Sequence, residues 1–212
     1  MTDSSVVYVV DDDPSVRKST GRLIRSAGYK VETFKSADEF LDRRPSEGPS
    51  CLILDMRMPG LNGLDLQERL AEAGAAMPII FVTGHASVSS TVRAMKAGAV
   101  ELLEKPFKGA DLIEAIGMSL RRAEVDAGKR ERLEKLRERE KRLTPREHAV
   151  FELVVSGLLN KQIARDLSIS EKTVKVHRAR VMEKMEVRML ANLVLSAGKL
   201  GFPREPQAVL SD

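Results

Sequence analysis

The chain has 212 residues, 42% of them apolar and 31% charged, with a formal net charge of +4. That composition suits an ordinary soluble chain of one or two domains, and no apolar run reaches the eighteen residues of a membrane-spanning helix. The single cysteine, Cys51, excludes an internal disulfide framework and a CxxC metal site, and within Cys51-Leu52-Ile53-Leu54 it reads as a small core residue.

The first residues, Met1 to Ser5, carry an acid and no base, unlike a secretory signal, so a cytoplasmic protein is expected. Short apolar runs then recur at Val6–Val10, Val31–Phe34, Cys51–Leu54, Ile79–Val82 and Leu102–Leu103. They are too short for helices and read as strands buried on both faces. Helix-period segments lie between them near 15–27, 37–43, 64–73 and 87–97, and another begins near Ala110. Five strand-then-helix units predict an α/β domain over residues 1–120, a parallel sheet covered on both faces. From Arg121 to Arg142, 16 of 22 residues are charged. This stretch predicts a solvated helix continuing the fifth, with Gly117 and Gly128 as weak points. Leu133, Leu136 and Leu143 only sketch a coiled-coil seam, because Glu140 interrupts it.

Thr144-Pro145-Arg146-Glu147 is a capping box with proline at the first helical position. Four short helices are predicted after it, at 145–157, 160–167, 170–185 and 189–200. Asn160 and Ser170 are expected as N-caps, and Gly157 and Gly201 as terminators. This all-α domain occupies 143–201, and 202–212 reads as a loose tail. Charge is uneven: net −3 over residues 1–120, +4 over 121–142 and +3 over 143–212. A basic C-terminal half points to an anionic partner such as nucleic acid.

In open parallel sheets, ligands bind at the carboxyl ends of the strands. Here those ends carry Asp11-Asp12-Asp13, Asp55 and Thr83, and Lys105-Pro106 follows the fifth strand. Clustered carboxylates need a cation, and a hard octahedral ion such as Mg²⁺ suits carboxylates, a carbonyl and waters. Such a site attracts phosphate, which a carboxylate can attack to give an acyl phosphate. Two assignments compete. In one, Asp11 and Asp12 hold the metal and Asp55 is phosphorylated. In the other, Asp11-Asp12-Asp13-Pro14-Ser15 mimics the D-x-D-x-[ST] signature of haloacid-dehalogenase-type phosphatases, with Asp11 as nucleophile and Asp13 as acid. That second assignment leaves Asp55 idle and lacks a later acidic pair.

On the helix from Ser170, Val174, Val181 and Met185 share one face. Lys172, Lys175, Val176, Ala179 and Glu183 share the other. The second face suits a major groove, where lysines take phosphates or guanine edges and small apolar groups meet thymine methyls. An ordinary solvated face gives the same pattern.

Val9-Val10-Asp11-Asp12-Asp13, Leu54-Asp55-Met56-Arg57-Met58-Pro59-Gly60, Val82-Thr83-Gly84-His85 and Glu104-Lys105-Pro106-Phe107 resemble the receiver domain of two-component response regulators. Leu143-Thr144-Pro145-Arg146-Glu147, the run Gly157–Ala164 and the run Thr173–Arg178 resemble the LuxR-type four-helix DNA-binding domain. Apart from its tail, the chain resembles the NarL/FixJ class, in its FixJ and StyR branch. The resemblance implies a flavodoxin-like receiver with Asp55 as phosphoacceptor and Thr83 and Lys105 as phosphoryl sensors. It implies Mg²⁺ on Asp12, Asp55 and the Arg57 carbonyl, with Asp11 acting through water. It also implies base contacts from Lys175, Val176 and Ala179, and phosphate contacts from Lys161, Lys172 and Thr173. Leu190, Leu193, Val194 and Ala197 would serve as part core and part dimer contact. The implied activity is phosphorylation-dependent transcription regulation rather than enzymatic turnover. The remaining alternative, an unphosphorylated scaffold that binds a partner through the receiver, is opposed by the acidic pair, Thr83 and Lys105. The implied partners are a sensor histidine kinase, an operator duplex, RNA polymerase and a second copy of the chain. Leu102 stands where the family usually has an aromatic switch residue, and His85 reads as a loop residue rather than a catalyst.

Overall fold

Five strands give the first half of the chain its frame: β1 (Val6–Val10), β2 (Lys30–Phe34), β3 (Ser50–Asp55), β4 (Ile79–Thr83) and β5 (Glu101–Glu104). All pair in parallel, in the order β2-β1-β3-β4-β5. The computed structural model describes residues 5–46, 48–75, 77–84 and 86–202. His85 and residues 203–212, for which a loop role and a loose tail are expected, lie outside the described residues.

Helices α1 (Pro14–Ser26), α2 (Ala37–Leu41), α3 (Gly63–Glu72), α4 (Val88–Lys96) and α5 (Gly109–Lys141) follow the strands in turn. Strand residues alternate between two cores, as the pleat requires. Tyr8, Val10, Leu52, Leu54 and Phe81 join Phe40, Leu66 and Ala94 on one face of the sheet. Val7, Val9, Cys51, Ile53, Ile80 and Val82 join Ile24, Leu112 and Ile116 on the other. The continuous apolar runs of β1, β3 and β4 have this origin: these inner strands are covered on both sides. The edge strands β2 and β5 are only partly covered, so the expected burial of Val31–Phe34 and Leu102–Leu103 on both faces does not hold. Cys51 is fully buried, and burial pushes its thiol up to about 12, so it stays an unreactive core residue at neutral pH. α5 runs unbroken through Gly117 and Gly128, because each glycine costs an exposed helix only about 1 kcal/mol.

By backbone contacts the chain divides into residues 1–128 and 129–212. The second unit contains the end of α5, α6 (Pro145–Val155), α7 (Asn160–Asp166), α8 (Glu171–Lys184) and α9 (Leu190–Leu200). Val150, Phe151, Val154, Ile163, Val174, Val181, Met185 and Leu193 form its core. Phe202, at the start of the expected tail, packs edge-on against Phe151 with centroids 5.0 Å apart. The Thr144–Glu147 capping box is present, and Gly157 and Gly201 end their helices with φ of 89° and 91°. One expected cap differs. Leu159, not Asn160, is the N-cap of α7, and Gln162 serves in place of a capping side chain by accepting the Leu159 N–H at 2.8 Å.

Candidate functional site

Register brings the acidic residues level. Val10 pairs with Leu54, Asp55 with Val82 and Thr83 with Glu104, so Asp11, Asp55 and Thr83 stand at one edge of the sheet. Donor oxygens of Asp11, Asp12 and Asp55 lie within 4.8 Å of one another. Asp11 and Asp55 are largely buried and Asp12 is exposed, which leaves the group open on one side. Lys105 Nζ bridges the two buried carboxylates, at 2.8 Å from Asp11 Oδ2 and 2.7 Å from Asp55 Oδ2. The Arg57 N–H donates to Asp55 Oδ1 at 2.8 Å. Thr83 is fully buried, and its carbonyl accepts the Lys105 N–H at 2.8 Å, tying the β4 end to the β5 exit.

Lys105 is bonded to two of the three carboxylates and not to Asp12, and among the described residues no other cation bonds a carboxylate oxygen of the group. Burial pushes the Asp11 carboxyl above its ordinary range, and the hydrogen bond and charge of Lys105 only partly offset this. Burial also pulls on the Lys105 ammonium, but its bonds to Asp11 and Asp55 prevail and hold its pKa above the ordinary value. An under-neutralised, one-sided oxygen cluster is the donor set that a hard divalent cation fits. Asp13 stands apart from it. Its carboxylate caps α1, accepting from Ser15 N at 2.7 Å and Val16 N at 3.3 Å.

Two residues without a motif shape this edge. Gly63 lets the start of α3 press onto β3: a Cβ there would lie 2.3 Å from the Asp55 carbonyl oxygen. Arg17 Nη1 donates to the carbonyls of Asp11 and Asp12 at 2.6 and 3.2 Å. No motif announces either residue; the one signal for Arg17 is a cation one turn into a helix that follows an acidic loop.

In the second unit, α7 and α8 form helix, turn, helix. Val174, Val181 and Met185 are buried, while Lys172, Lys175, Val176, Ala179 and Glu183 are exposed on the opposite face of α8. Thr173 is half-buried and its N–H donates to Ser170 Oγ, the cap of α8, at 3.0 Å. Lys161 is exposed at the start of α7. Arg178 Nη1 reaches Asn160 Oδ1 at 2.6 Å and ties the two helices together, a role the sequence pattern did not announce because the partners are 18 residues apart. On α9, Leu193 and Ala197 are buried, Val194 is half-buried and Leu190 is exposed.

Residues 7–117 match the response regulator receiver domain, and residues 141–197 match the luxR family of bacterial regulatory proteins. Nodulation protein W of Bradyrhizobium diazoefficiens is 44% identical over 198 residues, which is 93% of this chain and 87% of that protein. Transcriptional regulatory protein FixJ of the same organism is 41% identical over 95% of this chain and 98% of its own length. The solved structure of response regulator StyR is 48% identical and covers 92% of this chain and 99% of that one, with a TM-score of 0.80.

Proposed function

The chain belongs to the response regulators that join a receiver domain to a LuxR-type DNA-binding domain, and we propose that it regulates transcription through phosphorylation of Asp55. The observation that carries this reading is the carboxylate cluster with Lys105 across it, on the same chain as a helix-turn-helix with an exposed lysine-bearing face. Receiver domains typically bind Mg²⁺, and Asp11, Asp12, Asp55 and the Arg57 carbonyl are the groups that would hold it. When bound, it supplies positive charge that offsets the carboxylates and an incoming phosphoryl group.

In the proposed step, an Asp55 carboxylate oxygen forms the new P–O bond. The donor's bond to phosphorus breaks, P–N for a kinase phosphohistidine or P–O for a small acyl phosphate, and the leaving group keeps the bonding pair. Lys105, already against Asp55, turns to the phosphoryl oxygens, and the Thr83 hydroxyl hydrogen-bonds one of them. The chain accepts a phosphoryl group and is not assigned turnover of its own. We assign residues 1–120 to acceptance, 121–142 to spacing and 143–201 to reading DNA, in the cytoplasm.

Lys175, Val176 and Ala179 read base edges of an operator duplex, while Lys161, Lys172 and Thr173 hold phosphates. With Leu102 at the usual aromatic position, the new charge acts through the backbone at the Thr83 end of β4 and the α4 face that follows. Val88, Val92 and Met95 are exposed on that face and serve receiver–receiver contact. Dimerisation joins two weak readers and raises their effective concentration, and the paired readers then engage RNA polymerase. No helix among the described residues is long and apolar enough to cross a membrane.

Incubation with Mg²⁺ and a small acyl phosphate, followed by intact mass, tests the acceptor. Wild type gains one phosphate and Asp55→Asn gains none. Label that survives in Asp55→Asn and disappears in Asp11→Asn overturns the assignment in favour of the phosphatase type.

A further inference from the structure

Arg17 belongs to no motif of the site, yet it grips the loop that carries two of the three carboxylates. α1 opens at Pro14, and its first turn holds no acidic residue. A cation this close to a helix N-terminus runs against the macrodipole, so the position asks for another explanation. Helical side chains lean back toward the N-terminus of their own helix. A long side chain one turn into α1 therefore covers the loop between β1 and α1. Arg17 does this, with Nη1 2.6 Å from the Asp11 carbonyl oxygen and 3.2 Å from that of Asp12.

The choice of acceptor is the telling feature. A guanidinium beside carboxylates ordinarily takes them, often through two parallel bonds. Here both hydrogen bonds end on backbone carbonyls. The carboxylate oxygens keep other partners: Asp11 Oδ1 accepts from Asp13 N, Asp55 Oδ1 accepts from Arg57 N, and Lys105 takes Oδ2 of both. Arg17 thus orients the backbone from which Asp11 and Asp12 project and occupies none of the oxygens that a metal would use.

We infer that Arg17 is a positioning residue for the divalent-cation site, acting through the carbonyls of Asp11 and Asp12. The inference rests on the reading of Asp11, Asp12 and Asp55 as that site. Position and charge act in opposite senses on an incoming cation: the grip pre-organises the ligands, whereas the guanidinium charge repels. Removing Arg17 loosens Mg²⁺ binding if position dominates and tightens it if charge dominates.

Calorimetric titration of MgCl₂ into the full-length, chelator-treated protein, with no phosphoryl donor present, reads this sign. Asp12→Asn abolishes binding. Arg17→Ala weakens it by roughly 10-fold, as for other residues that orient metal ligands from behind. Arg17→Lys, which keeps the charge without the fork, falls between Arg17→Ala and wild type. Thermal unfolding separates this role from a merely structural one. Loss of structure alone lowers Tm equally in chelator and in Mg²⁺, whereas loss of positioning shrinks the Mg²⁺-dependent rise. Should Arg17→Ala fail to fold, Arg17→Met keeps the apolar stem and carries the same comparison. Unchanged or tighter Mg²⁺ binding without Arg17, with Asp12→Asn still silent, overturns the inference alone. Mg²⁺ binding that persists in Asp12→Asn overturns the site reading, and the inference with it.

Discussion

Each unit of the molecule holds a lysine against a carboxylate at nearly the same distance, and the two contacts behave differently. In the second unit Lys184 meets Glu147 at 2.6 Å, and Glu147 also accepts the Thr144 N–H at 2.9 Å. Each of these partners favours the charged form, and together they outweigh burial and hold the carboxyl down to about 2. Lys184 donates to the Arg142 carbonyl as well, at 3.0 Å, so one pair pins the end of α5, the start of α6 and the end of α8. In the first unit Lys105 is divided between Asp11 and Asp55 with Asp12 close by, and burial leaves Asp11 above its ordinary range. A carboxylate supplied with donors is a staple. A cluster short of positive charge stays responsive to whatever cation or phosphoryl group arrives.

Exchanging the lysines is the strongest way to break this contrast. Lys105→Met slows acyl phosphate labelling of Asp55 by roughly 100-fold, since it removes the group facing the developing charge. Lys184→Met leaves labelling at the wild-type rate. Equal effects on labelling would erase the distinction. Stability should respond the other way. Lys184→Met lowers the unfolding free energy by about 2 kcal/mol through loss of a charge-assisted bond, a cost that Mg²⁺ does not relieve. The smaller cost of Lys105→Met falls on addition of Mg²⁺, and denaturant titrations with and without the ion check both statements.

The DNA-facing lysines sharpen the contrast on a smaller scale. Lys175→Ala weakens operator binding by about 1–3 kcal/mol and relaxes one position of the site, as expected for a base contact. Lys161→Ala weakens all sequences alike and lowers the slope of binding against salt by about 1. Equal, sequence-independent losses would make Lys175 a phosphate contact. Acid acts on the two contacts with opposite signs. The Glu147 carboxyl is depressed in the folded state, so its contribution is complete above the ordinary range near 4.5 and is lost as pH falls toward about 2. Asp11 is raised, so its ionisation costs stability as pH climbs through its folded value and costs nothing below about 3.8. Denaturation between pH 5 and pH 3 (about the carboxylate range) should weaken the second unit in wild type, and Glu147→Gln should flatten that limb.

Residue type and spacing carry some of these features and not others. The inner strands were legible because burial on both faces makes them continuous apolar runs, and Asp11, Asp55, Thr83 and Lys105 because the topology puts strand ends on one edge. The capping box was legible because its partners are three residues apart. Asn160 is the exception to that logic: its residue type suits a cap, but it is the first helical residue of α7, after the cap Leu159, and its side-chain oxygen accepts from Arg178. Arg17 and Gly63 were hidden because their partners are backbone atoms, which carry no signal in residue type. Lys184 was hidden because Glu147 lies 37 residues away.

Sedimentation equilibrium of the full-length chain, at about tens of micromolar where micromolar affinities are visible, decides most directly whether charge at Asp55 joins two DNA readers. With Mg²⁺ and an acyl phosphate donor, wild type should move from monomer to dimer, while Asp55→Asn stays monomeric under the same treatment. A chain carrying one phosphate on Asp55, verified by mass, that remains monomeric would contradict phosphorylation-driven pairing.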